Sequence, residues 1–377
     1  MRLLFVSHSF PPVDAPLSNV GGMQRVATEL YDAFLENQDV QVTPLVLRST
    51  WEKTHLKTPF FLFNVAREIK REVKNGAVDL ILFSSMVTAS VAVMLKKTLA
   101  ASHVKTAAIV HGQDVTTPFG PYQKFVPKVF NALDAVLPVS RATGEQCTQR
   151  GLPASKLHVL PNGVKLSRFK PLSNKTEMRQ ALVSALGQGD TPLPDDALLL
   201  CSVGRQVKRK GFSWFIEKVM PQLPENVHYW LAGDGPEGED IIQKARANKV
   251  DHRIRLLGRI SDEHLELLYR GADLFMMPNI PVPGTMEGFG VVMLEAGLGG
   301  LPVVAARLEG IQDVITEGQN GHYVESGDAN GFIASILQYH QKPEQVESAS
   351  QRACQHTANT FGWKAVAAQY VEVLAKL

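Results

Sequence analysis

Cysteine is scarce in this chain, and that scarcity excludes a good deal. Cys147, Cys201 and Cys354 are the only three among 377 residues, odd in number and widely spaced. They build no disulfide framework and no zinc-type pair, and they suit a reducing cytoplasm. Long apolar runs are missing too. The longest candidate, Met86 to Leu95, is interrupted by Thr88 and Ser90 and falls short of the roughly 20 residues a membrane helix needs. The opening stretch Met1–Val6 is too short for a signal-peptide core and runs into His8 and Ser9, so it predicts a first strand. No internal repeat of roughly 20–50 residues is visible. No His-Glu-x-x-His, no Gly-x-Ser-x-Gly, no Asp-x-Asp at a strand end and no Gly-x-x-x-x-Gly-Lys-Ser/Thr loop occurs. No bound metal is therefore implied.

What is present is a soluble globular composition, 45% hydrophobic and 20% charged. The length is too great for one ordinary core and predicts two domains. The net charge of +2 hides an asymmetry: residues 1–170 carry 20 Lys/Arg against 12 Asp/Glu, and the remainder 19 against 25. A basic front half and an acidic back half suggest different partners for each. Nucleic acid is a poor fit, because the basic excess lacks interleaved aromatics. The oligomeric state is left open.

Short apolar runs alternate with helical periods, the pattern of parallel sheets covered by helices. In the first half the predicted strands are Arg2–Ser7, Val42–Leu47, Asp79–Phe83, Thr106–Val110, Ala135–Pro138 and Leu157–Leu160. The cycle restarts with Ala197–Val203, His228–Ala232, Ile254–Leu257, Leu274–Met277, Val303–Ala305 and Gly321–Val324. This divides the chain into an α/β domain over 1–170, a linker and start of the second domain over 171–194, and a second α/β domain over 195–362. A last helix follows from Trp363 to Leu377, its apolar face set by Val366, Tyr370, Val373 and Leu374.

The segment Met286-Glu287-Gly288-Phe289-Gly290-Val291-Val292-Met293-Leu294-Glu295-Ala296 is the most informative in the chain. It reads as a loop turning into a helix. Gly288 and Gly290 let backbone N–H groups approach a ligand, and the helix start at Val291 offers unpaired N–H groups and partial positive charge to a phosphate. Glu287 and Glu295 flank that seat, as hydroxyl acceptors for a hexose and a ribose would. Two glutamates at this spacing are also ordinary surface charges, and it is their neighbours that favour a site.

Those neighbours follow predicted strands. Arg205 can clamp phosphate oxygens bidentately, and Lys210 adds a compact charge five positions on; a basic loop of this kind also occurs as solvated surface. Gly21-Gly22 opens a helix predicted from Gln24 to Leu35, and Gly22 can bring its N–H onto phosphates, or serve only as a tight turn. His111-Gly112 ends the strand Thr106–Val110 and makes His111 a candidate for the reacting sugar. Gly233-Asp234-Gly235-Pro236 reads as a turn needing positive φ. Gly258-Arg259-Ile260 can offer Gly258 backbone groups to a base edge while Ile260 packs on its ring.

Taken in order, Gly21-Gly22, His111-Gly112, Pro161-Asn162-Gly163-Val164, Gly204-Arg205 with Lys210-Gly211, Gly233-Asp234-Gly235-Pro236 and Glu287 with Glu295 resemble the retaining GT-B glycosyltransferases of family 4. The likeness covers nearly the whole chain. It implies two Rossmann-like domains facing across a cleft, with a nucleotide sugar held mainly by the C-terminal domain. The acceptor would bind mainly to the N-terminal one, onto which the last helix packs back. By motif match, Arg205 and Lys210 hold the diphosphate, Glu295 the ribose and Glu287 the hexose hydroxyls. The amides of Phe289, Gly290 and Val291 meet the donor, and His111 lies near its C6 hydroxyl. Lys165 stands where the family often has Asp. The loop Asn279–Thr285 is lengthened as in mannosyltransferases of the phosphatidylinositol-mannoside type, which leans the donor toward GDP-mannose, with a UDP-hexose also open. No cofactor beyond that donor is implied.

The resemblance further implies metal-independent transfer with front-face attack, the departing phosphate taking the acceptor proton. A sugar-nucleotide epimerase of the same architecture would differ by releasing product with no acceptor present. An inactive nucleotide-binding subunit usually loses one of the phosphate or glutamate residues, and all are present here. For the acceptor, Lys53, Lys57, Arg67, Lys70, Arg71 and Lys74 surround Pro59-Phe60-Phe61-Leu62-Phe63. That pattern suits a peripheral enzyme on an anionic inner leaflet, glycosylating a lipid-linked or envelope saccharide. A solvated helix with a buried Phe face gives the same pattern.

Overall fold

The computed structural model describes residues 1–13, 22–169, 174–187 and 193–377, with all their side chains except those of Trp51 and Glu52. Gly21, together with 171–173 and 188–192 of the linker expected over 171–194, lies outside the described residues; the rest of that linker is mainly the helix Lys175–Leu186. Two compact units emerge. Unit 1 comprises Met1–Lys165, Gly284–Phe289 and Phe361–Leu377, and unit 2 comprises Leu166–Pro283 and Gly290–Thr360. The segment Gly284–Phe289, which the sequence groups with the C-terminal half, thus belongs to unit 1.

Unit 1 is built on a parallel sheet of β1 (Arg2–Phe10), β2 (Gln41–Arg48), β3 (Leu80–Phe83), β4 (Lys105–Val110) and β5 (Ala135–Pro138). The strand order is β2-β1-β3-β4-β5. Every residue of β3 and β5 is buried, as expected of strands covered by helices on both faces. Pro44 is tolerated in β2 because that strand is an edge. The strand expected at Leu157–Leu160 does not form. Only Leu157 bridges Val136, although His158 N–H and Leu160 N–H donate to the carbonyls of Val136 and Pro138 at 3.1 and 3.0 Å. The return bond to His158 would have to come from Pro138, which has no N–H, so the ladder stops.

The C-terminal helix Trp363–Leu374 lies on the helix Gly22–Leu35. Trp363 Nε1 donates to Glu29 Oε2 at 2.6 Å, and the Tyr370 and Phe34 rings meet edge-on at 6.3 Å. Just before it the chain bonds to the Asn162-Gly163-Val164 turn: Val164 N–H donates to the Phe361 carbonyl at 2.8 Å, and Trp363 N–H to the Val164 carbonyl at 3.2 Å. The Trp363 ring covers Gly163 so closely that any side chain there would overlap it. Lys165, where the family often has Asp, makes an exposed ion pair with Asp32 at 3.5 Å.

Unit 2 carries β6 (Leu198–Val203), β7 (Val227–Ala232), β8 (Ile254–Gly258), β9 (Leu274–Met277), β10 (Val303–Arg307) and β11 (Gly321–Glu325). They pair in the order β11-β10-β9-β6-β7-β8, all parallel. Phe215, Tyr229 and Phe332 lie at the centre of the core on one face. In each sheet the order reverses once, between β1 and β3 and between β6 and β9. The carboxyl edge at such a switch point is where open α/β sheets place ligands.

Candidate active site

In unit 2 the carboxyl edge at the switch point begins with Gly204 and Arg205, directly after β6. The chain then makes a short 3-10 turn, Lys208–Lys210, and Gly211 follows with φ +69°. A Cβ on Gly211 would overlap the Pro278 carbonyl, and Ile280 N–H donates to the Arg209 carbonyl at 3.0 Å. The turn is thereby pinned to the exit of β9. This folds the Lys210 side chain back over Gly204, where a Cβ would stand 3.5 Å from Lys210 Cε and 3.9 Å from Nζ. Lys210 is only 6% exposed, whereas Arg205 is exposed. A buried ammonium is costly unless an anion or polar groups compensate it, so its fixed place beside the strand end is built into the fold.

The exits of β7 and β8 complete the edge. Gly233 N–H donates to the Gly258 carbonyl at 2.7 Å, Gly204 N–H to the Ala232 carbonyl at 2.9 Å, and Gln206 N–H to the Asp234 carbonyl at 2.8 Å. Gly233 and Gly235 have φ +119° and +156°, as the turn reading requires. Arg259 pairs with Asp234 at 2.7 Å, while Ile260 is half-buried beside it in sequence. One pattern was available and unused: Gly233-x-Gly235-x-x-Gly238 follows β7 and opens the helix Gly238–Ala247, the spacing of a dinucleotide fingerprint.

The helix Val291–Leu298 starts on Gly290, at φ +87° and with no side-chain cap. Elsewhere Ser85, Ser140, Asn174, Ser261 and Asp328 cap their helices with side-chain oxygens. Met293 N–H turns back to the Gly290 carbonyl at 2.9 Å, and no side-chain cap occupies the amides before it, Val291 among them. Glu295 is 2% exposed. Its Oε1 pairs with Arg168 Nη1 at 3.2 Å and its Oε2 accepts from the Tyr269 hydroxyl at 3.1 Å. Arg168 also meets Asp262 at 3.2 Å. Sequence reasoning gave no role to Arg168 or Tyr269, and no spacing pattern links them to Glu295. A ribose contact would use the carboxylate's remaining lone pairs. Glu295→Ala is expected to uncover Arg168 and lower Tm by on the order of 5–10 °C, read by calorimetry. A change under about 1 °C would show that this pair does not hold the helix.

Unit 1 gathers the other candidates. His111 follows β4, and its Nε2 lies 2.9 Å from the Ser84 carbonyl at the exit of β3. A carbonyl only accepts, so Nε2 carries the hydrogen. His111 N–H donates to Asp114 Oδ1 at 2.9 Å. Burial raises the Asp114 carboxyl above its usual range, opposed by His111. His8, from β1, has Nδ1 3.4 Å from Ser85 Oγ. Its pKa is lowered to about 4 by burial and by the nearby His111 and His55, so its ring is neutral near pH 7. In the sequence His8 stands out only as the polar end of an apolar run.

The Glu287 loop lies against this cluster. A Cβ on Gly288 would overlap the His111 carbonyl, and one on Gly112 would stand 3.0 Å from Gly288 Cα. Thr143 Oγ1 donates to the Gly288 carbonyl at 3.5 Å, and Phe289, 2% exposed, meets Phe361 edge-on at 6.3 Å. His111 and Glu287 therefore belong to one unit. The sequence predicts room for a ligand at Gly288; the structure explains that glycine by this close approach to His111. Gly22 is the exposed first residue of its helix, with open space around its Cα.

Two family profiles match the chain, Glycosyltransferase Family 4 over residues 20–168 and Glycosyl transferases group 1 over residues 197–342. The lipopolysaccharide core biosynthesis glycosyltransferase LpsE of Rhizobium meliloti is 34% identical over 51% of this chain and 54% of its own length. A GDP-mannose-dependent alpha-(1-6)-phosphatidylinositol monomannoside mannosyltransferase of Mycolicibacterium smegmatis is 26% identical over 82% of this chain and 80% of its own. The chain spans between about half and two-thirds of the length of the first curated relatives it matches. Among solved structures, Anabaena HepE in complex with UDP-glucose superposes over 100% of both chains with TM-score 0.73 at 19% identity. The matching profiles cover most of both units and the likeness to solved structures extends over the whole chain, so this chain belongs to the group 1 glycosyltransferases of family 4 and has their GT-B fold.

Proposed function

We propose that the chain is a retaining hexosyltransferase. It would move a hexose from a nucleoside-diphosphate sugar, GDP-mannose or a UDP-hexose, to a saccharide or lipid-linked acceptor of an envelope polysaccharide or glycolipid. One observation carries this reading: the buried Lys210, the strand-end Arg205 and the uncapped start of the Val291 helix all belong to the carboxyl edge of one sheet. That arrangement suits a diphosphate, whose negative charge grows as the glycosidic bond breaks. Donors fixed in place before the reaction stabilise that growing charge without reorganisation. Glu295 would take the ribose and Gly258 with Ile260 the base. Glu287 and the amides of Phe289, Gly290 and Val291 would take the hexose and phosphates, and His111 the sugar's C6 side. The relatives named for lipopolysaccharide and phosphatidylinositol-mannoside synthesis support an envelope acceptor.

With basic side chains and helix amides to carry the leaving group's charge, turnover should not require a divalent cation. Proton NMR of the product from GDP-mannose or a UDP-hexose, with candidate acceptors and EDTA present, tests both points. An axial anomeric configuration matching the donor, formed at undiminished rate in EDTA, is the expected result. An inverted anomer, turnover that needs Mg²⁺ or Mn²⁺, or product formed equally well without acceptor would each overturn part of the reading.

A further inference from the structure

The helix Trp51–Lys74 of unit 1 has two faces that the structure separates cleanly. Val65, Ala66 and Ile69 are buried in the core of the unit, with Phe61, Leu62 and Val73 packed against it. This anchors the helix, so its other face is fixed outward. On that face Leu56, Phe60 and Phe63 are 76%, 78% and 60% exposed. The Phe-rich run is therefore not a buried stripe; it is split between core and solvent.

The cations share the outward face. Lys53, Lys57, Arg67, Lys70 and Lys74 fall in the same arc as Leu56, Phe60 and Phe63 at helical periodicity, and all are exposed. Among the described residues none of these five has a carboxylate partner. The two acids between Lys53 and Lys74 are Glu68 and Glu72, and both are engaged by Arg71, at 2.5 and 3.3 Å. From Lys53 to Lys74 the face runs about 30 Å. It begins just after β2, at the carboxyl edge of the sheet that also carries His111, and His55 on its first turns is close enough to His8 to lower its pKa.

We propose that this face docks unit 1 onto an anionic lipid bilayer. Exposed aromatic and aliphatic groups insert at the headgroup boundary, and the flanking ammonium and guanidinium groups meet lipid phosphates. Neither element alone gives stable attachment, and the helix supplies both. A DNA duplex would use the cations, but with its bases stacked inside the helix it offers no apolar phase in which to bury Leu56, Phe60 and Phe63. The docking does not depend on the transfer chemistry proposed above, so the two can fail separately.

The test is sedimentation of the full chain with phosphatidylcholine vesicles, with and without phosphatidylglycerol, at low and high salt. Two variants accompany it, F60S/F63S and K53E/K57E/K70E, with Tm and nucleoside-diphosphate binding measured as controls that should not change. Retention on phosphatidylglycerol vesicles at low salt, lost at high salt, is expected. The charge-reversed variant should partition on the order of a hundredfold more weakly, and the serine variant about tenfold. No retention on either vesicle, or retention unaffected by both variants, would overturn the proposal. So would capture of a DNA duplex by the wild type, lost on charge reversal, with no capture by vesicles.

Discussion

Replacing Lys210 by alanine should lower kcat/KM by about 10²-fold or more, and Arg205→Ala by a similar factor. Lys210 is held over Gly204 by a turn tied to the exit of β9, so its charge is in position before any ligand arrives. A contact to the leaving diphosphate strengthens as the bond breaks, which makes it worth more in the transition state than in the ground state. Loss of one such preorganised donor costs roughly 2.7–4 kcal/mol. The deficit should fall on kcat as well as on KM. Lys208→Ala is the control, since that side chain is exposed on the same turn without the fold directing it at Gly204. Steady-state kinetics with the preferred donor decides the matter. Activity within about threefold of wild type in both Arg205 and Lys210 variants would reject the clamp.

The second large effect is expected from a single methyl group. Gly288→Ala would drive a Cβ into the His111 carbonyl, so the two backbones must part. Overpacking of this kind costs about 1–3 kcal/mol, which a protein of this size survives. The functional cost is greater, because Glu287 rides on the displaced loop, and a misplacement of about 1 Å at a reacting centre costs on the order of 10²-fold. Nucleoside-diphosphate affinity, which the proposed reading assigns mainly to unit 2, should stay near the wild-type value. Parallel measurement of kcat and of diphosphate affinity separates these outcomes. Full turnover in Gly288→Ala would mean that the loop's seat on His111 does not set the position of Glu287.

Much of the fold was legible because parallel strands buried on both faces leave short, dense apolar runs. Ala135–Pro138 and Leu274–Met277 match the observed strands end to end, and the other observed strands differ from expectation by no more than a few residues at either end. The one false strand, Leu157–Leu160, had the apolar content but lacked a donor opposite it at Pro138, and hydrophobic pattern carries no information about a missing N–H. Glycines were legible as positions and less so as reasons. Gly290 does open a helix, whereas Gly288 and Gly163 are small because His111 and Trp363 press on them. The contacts that lock Glu295 could not be read at all. Arg168 and Tyr269 come from separate elements and converge only once the sheet of unit 2 has formed, so no local spacing announces them.

The central claim is that the carboxyl edge of the unit 2 sheet seats a nucleoside diphosphate. The most direct test is a thermal-shift panel of UDP, GDP and ADP, and of their sugars, on the wild type and on Lys210→Ala. At about 100 times Kd a ligand that binds only the folded state adds roughly 2.7 kcal/mol, a rise of several degrees in Tm. One base should stabilise the wild type in this way, with the diphosphate alone giving most of the shift, and Lys210→Ala should lose nearly all of it. No shift with any nucleotide at millimolar concentration, or an equal shift in Lys210→Ala, would contradict the account.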